Sequence, residues 1–334
     1  MNTIINLLTT PMQGTRVDVF EQIFLVFLGL GTLVGIVVVA YTLYNAYKYR
    51  DTGEADEGED LPSVGELPTG GKGGKKLFLS FGISAVIVIS LVIWTYGMLL
   101  YVEDPGDGGN SAQEDALNVE VTGDSFAWFF EYENGIKSTS TLRVPAGERV
   151  WVNATSGDVW HAFGIPDQRV KADAIPGEYD ETWFQADESE AGQQQEIKCF
   201  ELCGEYHTSM KGTLQIMDAD EFDQWMDKQL TMAFTIEDQN GSRVTEGYEL
   251  TLESQESNFE GSYTADEFDN GTIEVSDIEQ AGEYNVTIEP TDGQFEPVED
   301  QFDMTGQVDE TYTLEMNTTE RTANESETND GGSA

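Results

Sequence analysis

The residues of this chain that can do chemistry are few and crowded together. Of its two cysteines and two histidines, Cys199, Cys203 and His207 fall in one short stretch, Met210 follows, and His161 stands apart. Thiolate, imidazole and thioether are soft or borderline ligands that together select copper over magnesium or calcium. One cysteine, two histidines and a methionine would suit a mononuclear blue-copper site. A second cysteine four residues after the first changes the count. Two thiolates from one tight loop can each bridge two metals. That leaves one histidine for each copper, with Met210 on one and a backbone carbonyl on the other. Bridging spreads charge over both metals and limits the geometric change on electron transfer, which suits a fast one-electron relay.

Three other readings use the same residues. A disulfide is the default for paired cysteines outside the cytosol, but it leaves His207 and Met210 without a role. A tetrahedral zinc site takes two cysteines and two histidines, though zinc-ribbon pairs are usually spaced more tightly. Haem attachment needs Cys-x-x-Cys-His, which is absent.

The loop Cys199-Phe200-Glu201-Leu202-Cys203-Gly204-Glu205-Tyr206-His207-Thr208-Ser209-Met210 resembles the copper-A motif of cytochrome c oxidase subunit II, Cys-x-Glu-x-Cys-x-x-x-His-x-x-Met. Two further stretches are similar to that family: Ser156 to His161, and Lys171-Ala172-Asp173-Ala174-Ile175-Pro176-Gly177. The resemblance implies a metal set of His161, Cys199, Glu201, Cys203, His207 and Met210. In it the cysteines bridge two coppers, the histidines are terminal ligands, and Met210 and the Glu201 carbonyl are weak ligands. It also implies a magnesium ion facing the Glu201 carboxylate, where the chain meets a haem-bearing subunit I. Gly123 to Tyr132 is similar to the family's aromatic stretch, but Phe126 stands where the family often has the tryptophan at which electrons enter, and Trp128 lies two residues on. Phe126 and Trp128 are the candidates for that role, and the donor is a cytochrome c or a small blue-copper protein. Many members carry an acidic residue near the start of the second helix; Glu66 is the nearest here.

The remaining elements must position that loop. Ile23–Leu43 and Leu77–Val102 carry no charge and are long enough to span a bilayer as helices. Five Lys/Arg residues lie between them and one precedes them, which places the loop 46–76 in the cytoplasm and both termini outside the plasma membrane. No cleaved signal is expected in residues 1–19. After a linker, 103–116, about eight short strands with turn signals predict an all-β, cupredoxin-like Greek-key barrel over 117–230. It closes with a short amphipathic helix, Glu221–Leu230, bearing Phe222, Trp225 and Met226 on one side. Residues 231–316 predict a further β-sandwich-like domain, similar to an immunoglobulin fold and without cysteine or histidine. Residues 317–334 read as a disordered tail.

Lys+Arg number 16 against 63 Asp+Glu, a net charge of −47. That field excludes nucleic acid as a partner through phosphate contacts. It reads as a solvated acidic surface like those of proteins from very salty surroundings, or as a docking surface for a cationic donor. Both histidines are committed to copper, so the chain has none left for haem and must work beside a catalytic chain. The leading reading is subunit II of a haem-copper terminal oxidase, an oxidoreductase that passes electrons to that chain for oxygen reduction. A copper-A nitric oxide reductase subunit and a membrane-anchored copper-delivery protein are the alternatives.

Overall fold

The computed structural model describes residues 14–48, 50, 72–103 and 111–317. The N-terminal segment before residue 14, most of the loop between the helices with Glu66, part of the linker, and the tail from 318 lie outside the described residues. The chain divides into two compact units, Met1–Ala112 and Gln113–Ala334.

The first unit is a helical hairpin. Helix α1 (Arg16–Lys48) and helix α2 (Lys72–Glu103) are each long and apolar enough to cross a membrane. At 1.5 Å per residue, either is about 50 Å long against a hydrocarbon core of about 30 Å. Helix α1 begins ahead of the uncharged run because Thr15 and Asp18 cap it reciprocally. The Asp18 N–H donates to Thr15 Oγ1 (3.2 Å) and the Thr15 N–H to Asp18 Oδ2 (2.9 Å). Val19, Met98 and Val102 bury one another where the helices meet, and the Tyr101 hydroxyl donates to the Gly14 carbonyl (3.0 Å).

The second unit opens with a two-sheet sandwich. One sheet has the order β3-β2-β1-β5-β8: β1 (Leu117–Asp124), β2 (Ala127–Tyr132), β3 (Lys137–Thr139), β5 (Arg149–Ser156) and β8 (Asp180–Gln185). The other has the order β4-β10-β9-β6-β7: β4 (Thr141–Pro145), β6 (His161–Ile165), β7 (Val170–Ala174), β9 (Gln194–Cys199) and β10 (Lys211–Met217). Inward residues such as Val121, Phe130, Val152, Phe163, Ile197 and Leu214 are fully or almost fully buried. This is the expected cupredoxin-like architecture, with ten strands in place of about eight. The two strands that sequence pattern missed are β3, three residues long, and β7.

One expected strand is shorter than its pattern. Ser125 to Tyr132 reads as a continuous aromatic strand, yet β2 starts at Ala127. Ser125 and Phe126 have φ of 49° and 62° and form the two-residue turn between paired Asp124 and Ala127. Positive φ at both central positions is the geometry of a type I′ hairpin turn, usually made by Asn-Gly.

Helix α3 (Ala219–Gln229) lays its apolar side against the sandwich as expected: Trp225 meets Tyr132 edge-on at 5.5 Å, and Phe222 is buried beside them. The chain then builds a second sandwich of three strands, β14-β11-β17, and four, β13-β12-β15-β16. Its strands are β11 (Met232–Asp238), β12 (Tyr248–Ser254), β13 (Glu260–Thr264), β14 (Thr272–Val275), β15 (Gly282–Pro290), β16 (Val298–Met304) and β17 (Val308–Leu314). The core is continuous through both sandwiches. The hairpin between β2 and β3 also joins the second sandwich by backbone: the Ala281 N–H donates to the Asn134 carbonyl and the Lys137 N–H to the Thr305 carbonyl, each at 2.8 Å.

Candidate metal centre

Three strand ends bring the donors together. His161 opens β6 and Cys199 closes β9, and these antiparallel neighbours pair Phe163 with Cys199. The loop from Phe200 to Met210 leaves β9 and returns on β10. Its base is closed by the Cys199 N–H donating to the Met210 carbonyl (3.3 Å), and the Phe200 N–H reaches the Ala162 carbonyl (2.8 Å). A short helical turn, His207–Ser209, aims the His207 ring back into the loop. Function on a loop is thus held by a rigid scaffold.

The side chains converge. Cys199 Sγ and Cys203 Sγ are 4.0 Å apart, and both cysteines are free. His161 Nδ1 lies 3.9 Å from Cys199 Sγ, and His207 Nδ1 lies 3.6 Å from Cys203 Sγ. The Glu201 carbonyl lies 3.2 Å from Cys199 Sγ, and Met210 Sδ lies 3.8 Å from Cys203 Sγ. Each sulfur therefore has one imidazole and one weak donor of its own. The ligand atoms of His161, Cys199 and Cys203 all lie within 4.8 Å of one another.

This set fits two metals better than one. A thiolate–metal bond of about 2.3 Å, the zinc value, lets one metal touch two sulfurs up to about 4.6 Å apart. The sulfurs here are inside that limit. Six donors in two mirrored groups exceed the four of a closed tetrahedral zinc site. The softness of three sulfurs and two imidazoles selects copper. Burial, and then the neighbouring Cys199, push the Cys203 thiol up to about 11, so a metal arriving there displaces a proton.

His161 is fully buried and Met210 almost so, while both cysteines and His207 are partly exposed. The His161 orientation is fixed from behind. Its Nε2 lies 2.8 Å from Asp158 Oδ1, which places the ring proton there and leaves the Nδ1 lone pair toward Cys199. Burial pulls the Asp158 carboxyl up, but hydrogen bonds from His161, Val159 and Ser125 outweigh it and hold the group below its usual range. Gly123, on β1, gives the ring room: a Cβ there would stand 2.9 Å from His161 Cδ2.

Of the two aromatic candidates, Trp128 is fully buried, packed edge-on against His161 at 6.0 Å and Phe163 at 5.3 Å. It can brace the imidazole but cannot touch a donor. Phe126 is half-buried, and its ring lies over the Cys199–Met210 loop, 3.2 Å from where a Gly204 Cβ would stand. The Glu201 side chain is exposed. Sequence reasoning gave no role to Asp158, Gly123 or Tyr206. The signal for Asp158 was its place three residues before His161; the other two depend on packing.

The family described as cytochrome c oxidase subunit II, periplasmic domain, matches residues 134–217. The chain is 36% identical over 214 residues to a protein of Aeropyrum pernix named heme-copper oxidase subunit 2, an alignment covering 61% of this chain and 87% of that one. It is 31% identical over 201 residues to the cytochrome c oxidase subunit 2 of Alkalihalophilus pseudofirmus, covering 58% of this chain but only about half, 54%, of that relative. Among solved structures, it is similar to the periplasmic domain of subunit II of cytochrome oxidase (CoxB) of Bradyrhizobium japonicum. That match has 30% identity, a TM-score of 0.31, and covers 33% of this chain and 89% of the other.

Proposed function

The chain belongs to the subunit II family of the heme-copper oxidases, and from that premise we propose that its Cys199–Met210 pole holds a binuclear copper-A centre and takes in single electrons for a haem-bearing subunit I. The observation that carries this reading is the mirrored pairing: His161 Nδ1 and the Glu201 carbonyl on one sulfur, His207 Nδ1 and Met210 Sδ on the other. Two coppers bound there would supply a one-electron relay of low reorganisation.

The chain's own residues do the rest. Cys199 and Cys203 hold the pair from a loop whose two ends are stitched together. Asp158 keeps the His161 ring in one tautomer and one orientation. Buried Met210 and His161 exclude water from the inner side of the centre. The exposed Glu201 carboxylate is our candidate magnesium ligand at the boundary with subunit I. The two helices anchor the chain in the plasma membrane. Their connecting loop, with its lysines, is assigned to the cytoplasm and the copper pole to the outer side, where a soluble cytochrome c or blue-copper protein reaches it.

The test uses the full chain in detergent, loaded with copper. Two coppers per chain, with one unpaired electron shared over both nuclei in electron paramagnetic resonance, are expected. One copper with a single-nucleus pattern would sink the relay and favour delivery. For Glu201, replacement by Gln in the assembled complex should lower bound magnesium with copper content intact.

A further inference from the structure

A donor protein can couple to the copper pole only through a residue it can touch. Trp128 is out of reach, and Phe126 is partly covered. What covers Phe126 is Tyr206: the two rings meet edge-on, 5.4 Å between centroids and 70° between planes. Tyr206 is 57% exposed. The next residue in the chain is His207, whose Nδ1 faces Cys203 Sγ at 3.6 Å. Three exposed aromatics sit next to a proposed ligand, Trp160 before His161, Phe200 after Cys199 and Tyr206 before His207; Tyr206 is the most open of them and the one whose ring is braced from behind by Phe126.

The charges around it specify the visitor. Glu205, its neighbour on the loop, is exposed. The nearest lysines in sequence, Lys198 and Lys211, are both held by Glu196, at 2.8 and 2.6 Å. An acidic pole on a chain of net charge −47 attracts a cationic rim. Aromatic anchors inside a polar rim are the usual centres of binding energy.

We propose that Tyr206 is the donor-contacting residue of this chain, the ring against which a small cationic one-electron donor docks and through which it couples to the copper pole. The inference rests on the copper-relay reading above. One electron leaves the donor and one arrives at the centre; no bond forms or breaks, no proton moves, and the tyrosine ring is a contact that is not itself oxidised.

The experiment uses the full chain, copper-loaded in detergent, and a basic cytochrome c carrying zinc in place of iron. Quenching of the zinc porphyrin emission gives Kd, and flash excitation gives the rate of electron transfer at saturation. Tyr206→Ala is expected to weaken binding about tenfold, the loss of one aromatic anchor, and to slow transfer at saturation. Tyr206→Phe should keep both, because the ring and not the hydroxyl is the contact. The copper absorption and electron paramagnetic resonance spectra should be unchanged in both variants. Wild-type binding and transfer in Tyr206→Ala would overturn the proposal, as would a loss seen only in Trp160→Ala, whose exposed indole precedes the other ligand histidine. Failure of the wild-type chain to bind the probe would overturn the cationic donor. A mononuclear copper spectrum in the wild-type chain would instead overturn the relay itself, before any variant is compared.

Discussion

One carboxylate joins His161 to the hairpin turn beside it: Asp158 Oδ1 lies 2.8 Å from His161 Nε2, while Asp158 Oδ2 accepts the Ser125 N–H at 3.1 Å. Removing it frees the imidazole and the turn together. Outer partners of metal-bound histidines are typically worth about 10- to 100-fold in affinity. Asp158→Ala should weaken copper binding by that order in a competitive chelator titration, while two coppers still load at excess metal. An unchanged affinity would show that packing against Trp128 alone orients His161.

The turn itself stores strain. Ser125 and Phe126 both sit at positive φ, and a non-glycine residue there costs about 1–3 kcal/mol. Ser125→Gly should therefore raise stability by up to about 1 kcal/mol, since the added unfolded-state entropy of glycine offsets part of the relief. Phe126→Gly relieves the same strain but deletes the ring under Tyr206. The lost ring packing against the core offsets that relief, so denaturant unfolding should show it no more stable than wild type, while donor binding weakens. A stability gain like that of Ser125→Gly, with donor binding unchanged, would show that the Phe126 ring has no role.

Gly123 is needed for space, not for its backbone angle. A Cβ would stand 2.9 Å from His161 Cδ2 and 3.1 Å from Trp128 Cζ3, with both rings buried. Gly123→Ala should cost about 1–3 kcal/mol, the range for overpacking a filled core. It should also perturb the copper spectrum, because the nearest atom that can give way belongs to the ligand ring. A destabilised chain with an unaltered spectrum would show that Trp128 moves instead.

Glu120 on β1 pairs with Glu131 on β2 and with Asn153 on β5. Burial, and then Glu131, raise its carboxyl above the usual value. A carboxyl raised on folding gives stability that is fully present below the unfolded-state pKa of about 4.3 and is lost as pH rises through the folded value. Glu120→Gln should therefore unfold at a higher temperature than wild type at neutral pH, and the difference should vanish below about pH 4. The Glu120 side chain is exposed, so added salt should shrink the gain. Circular dichroism melts at two pH values and two ionic strengths check this.

The cluster of donor side chains was legible because its spacing is local and its residue types are scarce; His161, distant in sequence, was found by scarcity alone. The amphipathic side of α3 was legible because Phe222, Trp225 and Met226 recur at helical spacing. The Ser125–Phe126 turn was hidden because aromatic character runs on through it, while the contacts that hold it, from Asp158 to Ser125 and from Tyr206 to Phe126, come from loops distant in sequence. Strands β13 and β16 escaped notice because outward residues such as Glu299, Asp300 and Asp303 have poor strand propensity; pairing with β12 and β15 carries them. Tyr206 was invisible as a contact residue because exposure and ring geometry belong to the folded loop.

The backbone bonds between Asn134 and Ala281 and between Lys137 and Thr305 tie the C-terminal sandwich to the one that carries the Cys199–Met210 loop. A protease should find no cleavable seam at Leu230–Thr231, because both sides of that bond belong to one buried core. Limited digestion should accordingly release residues 113–317 as one resistant piece, and a gene cut after residue 230 should yield insoluble protein.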